Sequence, residues 1–62
     1  MKLKTTTCDI EIEDILDRDG ELNITLERTG CQDIIIYLNA DQASDLIVQI
    51  ETAFANSGKE IR

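Results

Sequence analysis

From Cys8 to Glu13 the chain alternates strictly. Cys8, Ile10 and Ile12 are interleaved with Asp9, Glu11 and Glu13. Period two sends successive side chains to opposite faces of a strand, so this stretch is expected to be extended, apolar on one face and acidic on the other. The alternation fails at Ile15-Leu16, which predicts a bulge or bend near Asp14. Everything else in the fold has to accommodate this two-faced strand.

The next signal is Asp17-Arg18-Asp19-Gly20-Glu21, an Asp-Gly step between two alternating runs, which reads as a hairpin. A three-residue loop, Arg18-Asp19-Gly20, puts Gly20 at the left-handed position such loops need. That loop sets Leu16 opposite Leu22, Ile12 opposite Leu26 and Cys8 opposite Gly30. A two-residue Asp19-Gly20 turn would bring Cys8 opposite Cys31, but it pairs Ile12 with Glu27 and is rejected, because register must keep apolar residues on one face. The second strand carries Leu22, Ile24 and Leu26 on one face and Asn23, Thr25 and Glu27 on the other. A second three-residue loop, Thr29-Gly30-Cys31, sets Leu26, Ile24 and Leu22 opposite Ile34, Ile36 and Leu38. The third strand, from Asp33 to Leu38, is apolar on both faces: Ile34, Ile36 and Leu38 inward, Ile35 and Tyr37 outward.

Asn39 and Gln42 have the spacing of a capping box, which opens a helix. Ala43, Leu46, Ile47, Ile50, Ala53 and Phe54 recur at three and four as an apolar stripe. Gly58 is a natural stop, and the tail Lys59–Arg62 is expected to fray. The expected fold is therefore α+β: a three-stranded antiparallel meander (about 5–16, 21–28 and 33–38) packed on one C-terminal helix (about 40–57). This two-layer βββα unit forms a single small domain over 1–62. Its core is expected to hold Ile10, Ile12, Leu16, Leu22, Ile24, Leu26, Ile34, Ile36, Leu38, Leu46, Ile47, Ile50 and Phe54.

Composition narrows the function. With no histidine and two cysteines, one chain cannot assemble a four-ligand zinc set, and no triad-type nucleophile has a base. Gly20, Gly30 and Gly58 are isolated, so no phosphate-cradling loop exists. Asp17-x-Asp19-Gly20 resembles part of a calcium loop. With Gly20 at the sixth position, however, Ile15 and Leu26 fall where the first and last ligands belong, so the stretch reads as a plain turn. No catalytic residue, cofactor or metal is expected, and the chain is read as non-enzymatic. Cys8 and Cys31 are expected to be reduced, since the favoured register offsets them.

Thirteen acidic residues against six basic ones, net −7, oppose direct nucleic-acid binding, which needs clustered Lys and Arg. No apolar run follows Met1-Lys2-Leu3-Lys4, so neither a signal peptide nor a membrane partner is expected, and the location is read as cytoplasmic. Two binding surfaces stand out. Ile35 and Tyr37, beside Asp33, form an apolar patch on an edge strand. Asp9, Glu11, Glu13, Glu21 and Glu27 form an acidic patch. A chain of 62 residues buries only about 60% of its unfolded surface, which is marginal without a partner. The leading expectation is a small interaction or inhibitor-type accessory protein. It would act as a homodimer through edge-to-edge third strands or outer faces around Ile35 and Tyr37, and would bind another protein besides. The alternative is an acidic nucleic-acid mimic that occupies a basic groove.

Overall fold

In the computed structural model, which describes residues 1–59, the helix does not lie on the sheet. Four antiparallel strands are followed by one helix: β1 (Lys2–Lys4), β2 (Asp9–Ile12), β3 (Leu22–Glu27), β4 (Ile34–Leu38) and α1 (Ala40–Asn56). The sheet order is β1-β2-β3-β4, a meander with β1 and β4 at its edges. The helix touches chiefly β4, the strand it leaves. Of the tail expected to fray, Lys59–Arg62, only Lys59 is described, and its N–H bonds to the Phe54 carbonyl at 2.9 Å; residues 60–62 lie outside those described.

Three sequence expectations are corrected. First, the sheet has four strands, not three. The stretch expected as one strand over 5–16 contains a turn and a short strand, and Lys2–Lys4, ahead of the expected first strand, forms β1. Lys2, Leu3 and Lys4 pair with Glu11, Ile10 and Asp9. Thr5 closes the intervening loop: its hydroxyl donates to the Cys8 carbonyl (2.7 Å) and accepts from the amides of Thr7 (3.2 Å) and Cys8 (3.1 Å). A local side-chain bond of this kind competes with continued strand.

Second, the β2–β3 register is displaced by two residues. Ile12 faces Ile24 and Ile10 faces Leu26. The loop itself is as expected: Asp17 N–H donates to the Glu21 carbonyl at 2.9 Å, and Gly20 has φ +79°. Between this turn and β2 the chain bends at Asp14-Ile15, and the bend takes up the displacement. A shift of two preserves the side-chain faces, so the apolar face survives. Leu16, expected in the core, instead lies in the exposed loop with Ile15. The β3–β4 hairpin has the anticipated register throughout, with Leu22, Ile24 and Leu26 opposite Leu38, Ile36 and Ile34.

Third, no described residue is buried, so the expected core is not assembled within the chain. The sheet's apolar face (Leu3, Ile10, Ile12, Leu22, Ile24, Leu26, Ile34, Ile36 and Leu38) has no second layer over it. The helix stripe is also open: Leu46, Ile50 and Phe54 are each more than 40% exposed. The Cα radius of gyration is 13.4 Å, against about 10.6 Å for a compact chain of this length.

The helix ends explain why α1 forms without packing. Asn39 Oδ1 accepts from Gln42 N–H (2.9 Å), and Gln42 Oε1 accepts from Asn39 N–H (3.0 Å). At the other end, Gly58 N–H bonds to the Ala55 carbonyl and Lys59 N–H to the Phe54 carbonyl, with Gly58 at φ +71°. These bonds satisfy backbone groups that a helix terminus otherwise leaves open.

Candidate functional site

The pleat sorts the candidate residues onto two surfaces. The outer face of the sheet carries Lys2, Lys4, Asp9, Glu11, Thr25, Glu27, Asn23, Ile35 and Tyr37 in registered rows. Of the acidic candidates, Asp9, Glu11 and Glu27 come together there. Glu13 follows the end of β2. Glu21 belongs to the β2–β3 loop, where its ligand atoms and those of Asp17 and Asp19 lie within 4.8 Å of one another. Asp17 Oδ1 in that cluster accepts from the amides of Asp19 (2.9 Å) and Glu21 (3.0 Å). The cluster is thus explained as turn chemistry.

The outer acidic patch is partly neutralised by a strand the sequence reading missed. Lys2 Nζ lies 3.1 Å from Glu27 Oε1, and Lys4 is registered beside Asp9. The Lys2 ammonium is held above its ordinary pKa, first by the hydrogen bond to Glu27, then by the charge of Glu27, with smaller contributions from Glu11 and Asp9 and an opposing one from desolvation. The signal for this arrangement was present: Lys2 and Lys4 alternate with Met1 and Leu3, the same period two, before a Thr5-Thr6-Thr7 turn.

Ile35 and Tyr37 are each 52% exposed. They sit beside Thr25 and Asn23 on β3, and Asp33 immediately precedes the strand. The Asn23 Oδ1 atom is enclosed and has no hydrogen-bond partner among the described residues. Ile35 and Tyr37 are not alone. On the opposite face of the same sheet Leu3, Ile34 and Ile36 are exposed and Ile10, Ile12, Leu22, Ile24, Leu26 and Leu38 are only half-buried, and the helix stripe is open as well, although the sequence places all but Leu3 in a closed core. A single residue, Asn39, separates β4 from α1, and that spacing was the available clue.

Cys8 and Cys31 are free thiols. Among the described residues no helix is long and apolar enough to cross a membrane. Compared with protein-family models, with curated proteins and with solved structures, the chain matches none.

Proposed function

We propose that the chain is a non-enzymatic interaction protein of accessory or inhibitor type that acts as a homodimer and presents the outer face of β4, with Ile35, Tyr37 and Asp33, to another protein. The observation that carries the reading is an exposed helix stripe and a sheet face that is at most half-buried, which together have the composition of a core. The chain exposes 5370 Å², whereas a folded monomer of its 7.0 kDa mass exposes about 4000 Å² by the size scaling of monomeric proteins. Large exposed aliphatic and aromatic residues on β4 and α1 contribute to that surplus, and exposed apolar patches mark interaction sites.

The acidic-mimic reading is weaker. A nucleic-acid mimic needs uninterrupted negative charge, and Lys2 and Lys4 stand among Asp9, Glu11 and Glu27 on the outer face. Ionic strength separates the two. Binding through a charged face weakens steeply with salt, whereas apolar association between two chains of net charge −7 strengthens modestly as their repulsion is screened.

Sedimentation equilibrium at tens of micromolar protein, at low and high salt, tests the homodimer. The expected mass is twice that of one chain, with tighter association at high salt. A single-chain mass under both conditions overturns the reading.

A further inference from the structure

We propose that the second copy covers these surfaces by helix exchange: α1 of each chain lies across the apolar sheet face of the other, so that two helices and two sheets complete two shared cores. This rests on the homodimer reading above and names the contact that makes the dimer.

The connection between β4 and α1 is the first argument. Only Asn39 lies between them. One residue spans at most about 3.6 Å, while layers stacked on a sheet face lie on the order of 10 Å from it, as between two packed sheets. Strand–helix connections in two-layer units usually take about 2–6 residues. Asn39 is also fixed in extended conformation (φ −78°, ψ 177°) by both bonds of the capping box. The exit of α1 from the sheet is therefore set locally, and in this arrangement the helix touches chiefly β4 and does not cover its own sheet's apolar face. A hinge this short, which cannot fold back without distortion, favours exchange between copies over closure within one.

Area is the second argument. The surplus of about 1300 Å² per chain becomes roughly 2700 Å² over two copies, within the range of about 2,000–5,000 Å² typical of obligate homodimers. A weak or crystal-type contact would need far less.

Fit and charge supply the third. The stripe residues Leu46, Ile47, Ile50 and Phe54 lie on a 17-residue helix, about 25 Å long at 1.5 Å per residue. The four-stranded sheet is roughly 15 Å wide between its edge strands at about 4.8 Å spacing. One helix thus crosses the whole sheet. The apolar face has no charged side chain in its registered rows, and Asp41 and Asp45 lie on the opposite side of the helix from the stripe. The −7 charges are kept out of the contact. The arrangement is isologous, since each chain gives one helix and receives one, and it closes at two copies.

The test uses the intact chain in a mixed sample, one half carbon-13 labelled and one half unlabelled. Isotope-filtered NOEs are expected from the Phe54 ring and Ile50 methyls of one copy to the Ile24 and Ile36 methyls of the other. A two-chain mass without these NOEs overturns helix exchange and leaves the homodimer standing. A single-chain mass overturns both. A second variant checks the hinge: five Gly and Ser residues inserted between Leu38 and Asn39, which leaves the capping box intact, lets α1 fold back on its own sheet. At low micromolar concentration the mass is then expected to halve. A dimer of unchanged mass and unchanged affinity after the insertion contradicts exchange.

Discussion

The two faces of the sheet are built from the same strands and differ in almost everything else. The inner face carries only Ile and Leu in three registered rows: Ile10, Leu26 and Ile34 in one, Ile12, Ile24 and Ile36 in the next, and Leu22 and Leu38 in the third. The outer face alternates charge with isolated apolar groups, as in the run Glu11, Thr25, Ile35. Each face of a lone sheet meets water equally, so a lone sheet gains little from this segregation. The difference teaches that the inner face was composed for a second layer. Since the helix of the same chain does not supply it, the segregation is an argument about assembly as much as about folding.

The comparison breaks most visibly at Ile24→Asp. This substitution places a carboxylate at the centre of the inner face, flanked by Ile12 and Ile36. A charge left without a partner in a closed interface costs about 3–5 kcal/mol. Loss of the two-chain mass, together with loss of a cooperative denaturant transition, is expected. A variant that dimerises like the parent shows that the inner face stays wet.

The mirror experiment, Ile35→Lys on the outer face, sharpens the contrast. Ile35 is half exposed beside Thr25, and a surface change of this type is worth within about 0.5 kcal/mol. The mass and the denaturant midpoint are expected to stay as in the parent. A dissociated Ile35→Lys protein would move the dimer contact to the outer face.

The smallest effect concerns the outer ion pair. The Lys2 pKa is raised above 10.5 in the folded chain by Glu27. A group with a raised folded-state value contributes stability that is fully present below its unfolded value and is lost as pH rises through the folded one. The stability difference between parent and Lys2→Met should therefore be present at neutral pH and close above about pH 10.5. Chemical denaturation of both proteins across that range measures it. A gap that widens at alkaline pH has the wrong sign for this pair.

What the sequence made legible follows from how local each signal is. The β3–β4 hairpin was readable because one glycine, Gly30, and three apolar pairs agree on a single register. The helix ends were readable because Asn39, Gln42 and Gly58 act within one turn. The β2–β3 register was displaced because Ile15 and Leu16, two large aliphatics, look like strand and yet belong to the bend before Asp17. β1 is harder to read because its period-two signal, Lys2 and Lys4 around Leu3, spans only three residues and carries a single apolar side chain. The docking of α1 was not legible at all. A stripe such as Leu46, Ile47, Ile50 and Phe54 states that a face needs cover, and amphipathicity carries no information about whose surface provides it. The lysines beside the acidic patch are hidden in the sequence for the same reason as β1, since Lys2 and Lys4 sit on that strand.

The position of β4 at the border of the sheet has a consequence for the chain during its synthesis and at high concentration. Ile34-Ile35-Ile36-Tyr37-Leu38 is an uncharged run of strong strand formers without proline, and one side of its backbone has no neighbour. Runs of this composition stack into cross-β fibres when they meet copies of themselves. The opposite border is guarded, since β1 carries Lys2 and Lys4, and lysine on a border strand discourages further addition. Asp33 is the only charge adjoining the unguarded run, which makes it a gatekeeper. Asp33→Val removes that charge, and faster fibre growth than in the parent, followed by thioflavin fluorescence, is the expected result.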